Sequence, residues 1–512
     1  MTRSSLFFIW FVLAAFFTTS LFASNGTQIG TVGARTTAMG SATRGLADDW
    51  SAFFFNPAGL TRLSGTTFGV SYGLISPAGS YQPAPYPNYH FSGMQTTKRN
   101  LKEQTFQVPA VGFFFQPRDR ITLGIGLMAP FGLGARFDLL RLPSGYGNSA
   151  AGLSDEHETY SDHEVAFFQP TFAYELTDRI SFGFGVGYTE RGSLEINQFG
   201  LPLLSAMDPR ISPLLSVFQG AGVLNPDHRR LVAETNLEGK GHAWTFSAGA
   251  LFRVSDALQI GVSGRFYTPL KLEGIMETTA YLPGLTTETE SAYQAALRAF
   301  IAASDPSLPP EQIDAMTAQN MGALTQAMSG GVSGSRYYAE ADLPLPATIG
   351  AGIAFKPFPR LTLTADVSWT NWAAWDTIEV DLQYQETKSK GEMVQDWENT
   401  IEIALGAEYR AVDAGKFKLD LRAGGYRVPS PAPVSTINPT ILDPNTRIAI
   451  TGGLGLTYGR VMLSVAYERV TFGEKSIGAG EYVFDASGVN QNWPGVYDMS
   501  ASVITVGLSV SR

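Results

Sequence analysis

The chain has 512 residues, no cysteine, and 36 Lys and Arg against 46 Asp and Glu, which gives a formal net charge of −10. The absence of cysteine excludes a disulfide framework and a thiolate metal or redox site, and the negative charge disfavours nucleic acid as a partner. Charged residues make up 16%, aromatic residues 12%, and 54 residues are glycine. This composition, without a long apolar run, disfavours a large cytosolic enzyme and a helical membrane protein, and favours a sheet that closes on itself in lipid.

The first 23 residues have the pattern of a secretory signal peptide. Arg3 precedes an apolar run up to Phe17, and small residues follow up to Ala23. A charged start, a short apolar centre and a small residue at the cleavage point are the features of such a signal. About 12 apolar residues are too few to span a bilayer, which needs about 20. We expect residues 1–23 to be removed and the mature chain to begin near Ser24, in the periplasm.

Short turns and long loops alternate along the rest of the chain. The six turns, rich in the turn formers Pro, Gly and Asp, lie at 117–119, 177–179, 255–257, 357–359, 412–414 and 458–460. The seven longer stretches lie near 76–104, 130–163, 191–240, 274–345, 383–398, 429–446 and 472–499. Thirteen alternating connections predict 14 antiparallel strands, which is the pattern of bacterial outer-membrane barrels.

The predicted strands alternate with a period of two residues. Ile and Leu alternate with Thr and Gly over 121–128, and the segments 180–188 and 361–369 follow the same pattern. Successive side chains of a strand point to opposite faces, so one face is apolar and the other is small or polar. Lipid does not tolerate an open edge. We therefore expect an all-β fold, with residues 63–512 forming a 14-stranded antiparallel transmembrane β-barrel.

Charged and tryptophan side chains of these strands add two expectations. Six charged residues fall on the polar face and would line the lumen: Arg265, Asp366, Glu402, Asp420, Arg422 and Glu468. They would form a salt-bridged lining or contact a ligand directly, and for any single one we favour the lining. We expect Trp369, Trp372 and Trp375, where a strand leaves the membrane, to lie in the interfacial aromatic girdle.

The two largest loops, about 191–240 and 274–345, carry apolar residues at helical spacing. Segments 292–300 and 313–328 would each form a helix with one apolar stripe. Exposed Met-rich stripes adapt to varied apolar ligands, and the alternative is that the stripes pack on each other or on the barrel rim. The residues that we assign to a ligand-capture surface here are Phe218, Met316 and Leu324.

A motif near the N-terminus provides a family resemblance. Residues 56–60 read Asn-Pro-Ala-Gly-Leu, after Gly-Ala-Arg at 33–35 and Ala-Asp-Asp at 47–49. This segment resembles the N-terminal hatch of the FadL/TodX family of outer-membrane transporters for long-chain fatty acids and other hydrophobic compounds. Asn-Pro alone is a common turn. Further blocks in the family's order extend the resemblance from about residue 28 to the C-terminus: Leu345-Pro346, residues 369–372, residues 404–406, Arg422-Ala423-Gly424, residues 430–433 and residues 443–447.

The resemblance implies the architecture and the route of a transported molecule. Residues 24–62 would form a hatch, or plug, in the lumen, with Asn56, Pro57, Ala58 and Gly59 as its motif. A hydrophobic ligand would be captured between the two largest loops and would enter a lumenal pocket that touches the extreme N-terminus. Its displacement of the hatch would open a lateral exit at the third strand, about 120–129. The residues assigned to these steps are Ser24, Gln28 and Ile29 for the pocket, and Gly124 and Gly126 for the exit strand.

Two arginines are candidates for pairing with a ligand carboxylate, since the guanidinium fork holds a carboxylate with two hydrogen bonds. Arg422 matches the family's Arg-Ala-Gly block and comes first, and Arg265 comes second. The glycines of the exit strand either weaken the wall or make room for the hatch. The chain departs from the family at Glu402, where relatives often carry a basic residue, and at the C-terminal Ser511-Arg512, where an aromatic residue is usual.

Other functions have weaker support. No HExxH, GxSxG or P-loop pattern is present, so we expect no enzymatic activity, no cofactor and no metal. For the acidic, His-containing segment 155–164 the alternatives are a divalent-cation site at the cell surface and a solvated loop, and we favour the loop. The alternatives are a surface adhesin or structural barrel and, with less support, an outer-membrane lipase. We expect a monomer in the outer membrane of a Gram-negative bacterium, in contact with a hydrophobic ligand, membrane lipids and lipopolysaccharide.

Overall fold

A computed structural model describes residues 32–86, 96–143, 145–148, 156–207, 210–440, 444–485 and 488–512. The predicted signal peptide, residues 1–23, lies outside them, as do the predicted pocket residues Ser24, Gln28 and Ile29. Among the described residues, no helix is both long and apolar enough to cross a bilayer.

The described residues form 19 strands in one antiparallel sheet that closes on itself. Their bounds are β1 Thr66–Pro83, β2 Arg99–Asn100, β3 Phe106–Arg118, β4 Ile121–Arg141, β5 Glu156–Thr177, β6 Ile180–Gly200, β7 Val232–Arg253, β8 Leu258–Tyr267, β9 Leu270–Tyr281, β10 Val332–Leu343, β11 Thr348–Phe358, β12 Leu361–Thr370, β13 Thr377–Tyr384, β14 Thr387–Val394, β15 Thr400–Ala414, β16 Phe417–Val428, β17 Arg447–Tyr458, β18 Val461–Ser476 and β19 Gly495–Ser511.

Fourteen of these strands close the barrel, which confirms the predicted fold class. They are β1, β3 to β8, β11, β12 and β15 to β19. The closing pair is β1 with β19, in register from Thr67 opposite Ser511 to Pro83 opposite Gly495. Five of the six short turns overlap the predicted positions between consecutive barrel strands, whereas the turn predicted at 412–414 lies at 415–416, because β15 extends to Ala414.

The alternation of side chains separates a lipid face from a lumenal face. On β17, Ile448, Ile450 and Leu454 are exposed, whereas Ala449 and Thr451 between them are buried. The same exposure of Phe, Leu, Ile and Val recurs around the barrel. This forms the outward apolar band of a transmembrane barrel, about 25 Å tall in known cases.

Several strands continue far beyond the membrane. β4, β5, β6 and β7 have 21 or 22 residues, about twice the 9–11 that a transmembrane strand needs. The segment 156–164, expected in a loop, therefore belongs to β5. For the same reason the two largest connections are shorter than predicted and span 201–231 and 282–331.

Four outer strands, β9, β10, β13 and β14, continue β8, β11, β12 and β15 past irregular breaks. Prolines, which cannot donate to a ladder, occur in two of these breaks, and a third break holds Trp372 and Trp375. These two indoles are fully buried and pack with Trp397, at ring-centroid distances of 5.2 and 4.6 Å. The predicted aromatic girdle is therefore wrong for Trp372 and Trp375, whereas Trp369 is exposed on the lipid side.

Helices occur in the lumen and in the external loops. The lumenal ones are α1 Ala34–Ala38, α2 Ala52–Phe55 and the 3-10 segment Pro57–Arg62. The external ones are α3 Leu204–Met207, α4 Ile211–Gly220, α5 Thr287–Ser304 and α6 Pro310–Ala327, with short 3-10 turns at Tyr146–Asn148, Pro226–Arg229, Trp372–Ala374 and Ala479–Glu481. Thr286 and Thr289 form a reciprocal cap at the start of α5, and a proline begins α6.

Candidate functional site

The described part of the hatch, residues 32–62, lies inside the barrel, where it contacts the inner face of strands on all sides. Its predicted motif provides one of the attachments. Asn56 Nδ2 donates to the carbonyl of Ala250 on β7 at 3.2 Å and to the carbonyl of Arg44 at 3.0 Å. Asn56 Oδ1 accepts from the N–H of Ala58 at 3.2 Å. One side chain thus satisfies three backbone groups and joins two hatch segments to the wall.

Glycines allow the hatch backbone to approach this closely. A Cβ at Gly183 on β6 would lie 2.2 Å from the carbonyl carbon of Pro57, and a Cβ at Gly59 would lie 1.9 Å from the carbonyl oxygen of Ala47. Real Cβ atoms do not come so near to backbone, so only glycine fits at these positions. The small residues on the lumenal face therefore make room for the hatch.

An ion-pair network joins the first half of the hatch to the wall. Arg35 in α1 donates from Nε and Nη2 to the two carboxylate oxygens of Glu408 on β15, each at 2.8 Å. Arg422 on β16 donates from Nε to the same carboxylate at 2.7 Å. Only 13% of the Arg35 side chain and 11% of the Glu408 side chain are exposed. We call Arg35, Glu408 and Arg422 the hatch lock.

Arg422, the first candidate for a ligand carboxylate, is therefore committed to protein groups. Besides Glu408, it donates from Nη1 to Ser464 Oγ at 3.2 Å, and 1% of its side chain is exposed. It lines neither of the two cavities described below. The geometry supports the salt-bridged lining for Arg422, and it offers no support for contact with a ligand.

A cavity of about 90 Å³ lies between the hatch and the wall. We call it the lumenal cavity. Its charged and aromatic lining residues are Arg44, Arg265, Arg447, Glu402, Glu468, Phe54, Phe55 and Tyr426. Polar groups that converge beside aromatic rings suit a molecule with one polar end and an apolar body.

Arg265 lines this cavity and is held by neutral groups. Its Nη1 donates to Gln169 Oε1 at 2.6 Å and to Thr245 Oγ1 at 3.2 Å, and its Nη2 donates to the carbonyls of Phe53 and Phe54 at 3.3 and 3.1 Å. Its guanidinium carbon lies 4.9 Å from the centroid of the Phe54 ring. Within the described ranges, no carboxylate forms an ion pair with it. A buried cation without a counter-ion is costly, so an anionic ligand group would be favoured there.

The predicted external capture residues belong to a closed helical cluster. Phe218 and Leu324 are fully buried among α4, α5 and α6, whereas Met316 is 42% exposed. The Phe218 ring stacks on Tyr293 at 4.2 Å, and His228 Nδ1 lies 3.0 Å from the Tyr293 hydroxyl. Burial lowers the pKa of His228 to about 4 and raises the pKa of Tyr293. The helices pack on one another, as the second alternative predicts, but the α5 residues that do so are Tyr293, Leu297 and Ile301, whereas Phe300 of the predicted stripe is 52% exposed. Phe218 and Leu324 offer no free surface.

The predicted exit strand is β4, the third strand of the barrel, and its two glycines are regularly paired. Gly124 pairs with Phe114 and Gly126 with Gly112 on β3. A Cβ at Gly126 would lie 2.2 Å from the ring of Phe53 in the hatch. These glycines make room for packing, and the wall is continuous at their level.

The ladder between β3 and β4 ends one residue further out, at Val111 opposite Leu127. Pro109 and Pro130 lie just beyond this pair, one on each strand, and neither has an N–H to donate. Every residue over 128–132 is buried, so β4 loses its lipid-facing alternation there, although it stays paired with β5 on its other side. Leu127 is still exposed in the apolar band. We call the stretch of β4 beyond this pair, residues 128–132, where β3 no longer bonds to β4, the wall gap.

The connection before β3 bonds to β4 beyond the wall gap. Within residues 101–105, the N–H of Lys102 donates to the carbonyl of Arg136 at 2.9 Å, and Gln104 Nε2 donates to the carbonyl of Gly134 at 2.7 Å. This segment, which we call the strap, replaces β3 as the neighbour of β4.

A second, smaller cavity, of about 20 Å³, lies among the outer strands. Apolar side chains of β6, β7, β9, β10, β13 and β14 line it, among them Leu194, Leu272, Leu343, Ile378 and Met393. We call it the outer cavity. The sequence analysis did not predict it, because it depends on pairing between strands that are distant in the chain.

Comparisons with known proteins agree with this architecture. The model of the family described as outer membrane protein transport protein (OMPP1/FadL/TodX) matches residues 14–511. A protein of Neisseria meningitidis serogroup B that is named as an outer membrane protein, NMB0088, is 22% identical over 494 residues, which cover 93% of this chain and 92% of that protein.

Solved structures share the fold at low sequence identity. A FadL homologue of Pseudomonas aeruginosa has a TM-score of 0.63 at 17% identity, over 95% of this chain and 99% of that chain. The toluene transporter TodX of Pseudomonas putida has a TM-score of 0.62 at 16% identity, over 94% of this chain and 98% of that chain.

Proposed function

The chain belongs to the OMPP1/FadL/TodX family of outer membrane transport proteins, and we propose that it carries long-chain fatty acids or hydrocarbons across the outer membrane by lateral release. Its location in the outer membrane of a Gram-negative bacterium and the transport of hydrophobic compounds follow from the family. The specific substrates and the route are our proposal. The protein would act as a monomer, without a cofactor or catalysis, surrounded by membrane lipid and lipopolysaccharide.

The wall gap is the observation that carries this proposal. An apolar molecule gains about 25 cal/mol for each Å² of its surface that leaves water, so an exit into the aqueous periplasm would be uphill. The ladder between β3 and β4 ends beside the exposed Leu127, at the level of the apolar band. A molecule that passes between these strands enters lipid without crossing water.

Helix α2 of the hatch lies between the lumenal cavity and the wall gap. Phe54 and Phe55 line the cavity, whereas Phe53 packs on Gly126, immediately below the gap. A ligand in the cavity would therefore reach the gap only after α2 moves. We propose that residues 24–62 move as the hatch within a barrel of residues 63–512, after removal of a signal peptide at 1–23.

Arg265 is our candidate for the carboxylate of a fatty acid, because it faces the lumenal cavity and lacks an acidic partner among the described residues. Replacing it with methionine keeps most of the apolar stem and removes the charge. We expect the Arg265→Met variant to lose binding of palmitate while it keeps binding of toluene, which has no charge. Equal losses for both compounds would reject the carboxylate role.

A crosslink tests whether the hatch must move. A Cβ at Gly507 on β19 would lie 3.4 Å from the Cβ of Ala34 in α1, close to the 3.5–4.5 Å of disulfides. The chain has no cysteine, so the pair Ala34→Cys and Gly507→Cys would bond only to each other. We expect the oxidised variant to take up labelled palmitate and toluene no faster than cells without the protein, and reduction to restore uptake.

The matched control is a crosslink within the hatch. The Thr36 and Ser51 hydroxyl oxygens lie 2.9 Å apart, so Thr36→Cys with Ser51→Cys joins two hatch segments without tying either to the wall. This variant should transport in both redox states. Unchanged uptake by the oxidised Ala34–Gly507 variant would overturn the proposed route.

A further inference from the structure

The six short turns, which such barrels place on the periplasmic side, are charged unevenly around the rim. The turns β3–β4, β5–β6 and β7–β8 form one half of the rim, and their charged residues are four basic and four acidic ones. The turns β11–β12, β15–β16 and β17–β18 form the other half, because β12 pairs with β15 and β16 pairs with β17. With the adjoining strand ends, at 355–361, 409–420 and 457–461, this half has six basic and two acidic residues. One half of the rim is therefore neutral and the other is positive.

Four of the six basic residues in the positive half have no acidic partner. Both acidic residues are engaged: Arg410 donates to the carboxylate of Asp420 and lies 3.8 Å from that of Asp413, and Lys418 is opposite Asp413 in the ladder. The other four are exposed, and no carboxylate in the described part of the chain forms an ion pair with them. We call these four the basic arc: Lys356, Arg360, Lys416 and Arg460.

Backbone hydrogen bonds between neighbouring turns hold the basic arc in a row. The N–H of Arg410 donates to the carbonyl of Arg360 at 2.8 Å, and the N–H of Gly459 donates to the carbonyl of Lys416 at 2.8 Å. Each hairpin is two strands wide, so successive turns lie about 10 Å apart. Because the backbone is fixed, the positive charges cannot spread out, and together they create a positive potential along this side of the rim.

Aromatic rings of the same turns place the basic arc at the level of the lipid headgroups. Phe358, Phe417 and Tyr458 are 52%, 38% and 67% exposed, and the last two are opposite each other at the end of the ladder between β16 and β17. Aromatic rings at the end of an apolar band lie at the interface between membrane and water. Every cation of the basic arc is one or two positions from one of these rings in the chain. The arc therefore faces the inner leaflet of the outer membrane.

We propose that the basic arc binds the phosphate groups of anionic phospholipids in this leaflet. A lipid such as phosphatidylglycerol has a net negative charge that basic residues near the surface attract, whereas phosphatidylethanolamine has no net charge. The guanidinium forks of Arg360 and Arg460 can hold a phosphate with two hydrogen bonds, and the lysines attract it as point charges. Lipid is favoured over an acidic periplasmic protein because the neighbouring rings face lipid. The site lies on the outer surface of the barrel and does not depend on the transport route.

Native mass spectrometry of the full-length mature protein tests this proposal. The protein is titrated with equal amounts of phosphatidylglycerol and phosphatidylethanolamine that have the same acyl chains, and the lipids that it retains are counted. We expect the wild type to retain phosphatidylglycerol preferentially. Lys416→Gln should lower this preference about fivefold, which is the effect of one basic residue near an anionic surface. The combined variant Lys356→Gln, Arg360→Gln, Lys416→Gln and Arg460→Gln should lose the preference.

The matched control removes the same charge from the neutral half of the rim. It combines Arg118→Gln, Arg120→Gln, Arg179→Gln and Arg253→Gln, and it should keep the preference of the wild type. Assembly of each barrel is checked by the change of its gel mobility on heating. Lys416→Gln changes one exposed side chain of a turn, so it tests the proposal even where a combined variant does not assemble.

Three outcomes would overturn the proposal. The first is equal retention of the two lipids by the wild type, and the second is an equal loss of preference in both combined variants, which would be an effect of net charge alone. The third concerns the partner and is measured with polyglutamate and the protein in nanodiscs of the same two lipids. Binding of polyglutamate to the wild type, but not to the basic-arc variant, would show that the arc is open to water and would indicate an acidic protein as the partner.

Discussion

Glu408→Gln should release the first half of the hatch, because Glu408 is the carboxylate at the centre of the hatch lock. The substitution keeps the size of the side chain, but it removes the charge and turns an acceptor oxygen into a donor that faces two guanidinium groups. Arg35 then loses at least one of its two 2.8 Å hydrogen bonds to the wall. Its remaining acidic partners, Asp48 and Asp49, belong to the hatch itself and do not hold it to the barrel.

The size of the effect follows from the burial of this pair. Breaking a buried ion pair costs about 3–5 kcal/mol, and the partial exposure of both groups and the surviving pair with Asp48 favour the lower end. A cost of about 3 kcal/mol shifts the ratio of locked to released hatch by about a hundredfold, at about 1.4 kcal/mol for each tenfold.

Single-channel recording in planar bilayers measures this ratio, since a released hatch opens a conducting path. The Glu408→Gln protein should spend about a hundredfold more time in open states than the wild type. The control is Glu468→Gln, because buried Glu468 accepts from the Tyr426 hydroxyl at 2.6 Å, which a glutamine oxygen can still do. It should remain as quiet as the wild type. Equal open times for Glu408→Gln and the wild type would refute the assignment of the hatch lock.

Two further predictions concern packing and pH. Gly183→Ala puts a Cβ 2.2 Å from the carbonyl carbon of Pro57, so the thermal unfolding midpoint of this variant in detergent should fall. The control is Gly452→Ala, whose Cβ would have its nearest neighbour at 3.7 Å and which should keep the wild-type midpoint. Equal midpoints for the two variants would count against the view that these glycines make space for the hatch. Burial lowers the pKa of His228 from 6.5 to about 4 in the folded loops. Between pH 6.5 and pH 4 the unfolded loop segment therefore binds more protons than the folded one, so the folded helical cluster loses stability as the pH falls through this range. Hydrogen exchange in α5, corrected for intrinsic rates, should accelerate between pH 7 and pH 4.5, and His228→Asn should remove this dependence; a pH-independent wild type would contradict it.

The barrel was predictable because its signals are local. A strand with period-two alternation between tight turns can be recognised within about ten residues, as at 121–128 and 180–188, and the number of turns fixes the number of strands. Strand lengths were harder to predict. The extended ends of β4 and β5 lie in water and carry polar residues such as His157 and Glu158, so they resemble loops in composition although their backbone ladder continues.

The site was less predictable because its contacts join distant parts of the chain. Arg35 and Glu408 are 373 positions apart, and nothing near Glu408 marks it as the partner of a hatch residue. Arg422 was singled out correctly as lumenal, but only the fold shows that its guanidinium is already paired. The glycines of β4 drew attention to the strand that carries the break, whereas the break itself lies beside Pro109 and Pro130, two prolines whose proximity requires the register of β3 on β4.

If the hatch moves as proposed, the strength of the hatch lock sets the free energy that a bound ligand must supply. At about 25 cal/mol per Å², a cost of about 3 kcal/mol is offset by burying about 120 Å² of apolar surface. A single aromatic ring of the size of a Phe side chain buries about 150–250 Å², and a long acyl chain buries more. Either ligand could therefore displace the hatch when it binds behind it, while water and ions, which bury no apolar surface, leave the hatch in place. On the proposed route, a hatch held to the wall by hydrogen bonds would thus select hydrophobic ligands before any contact with a particular head group.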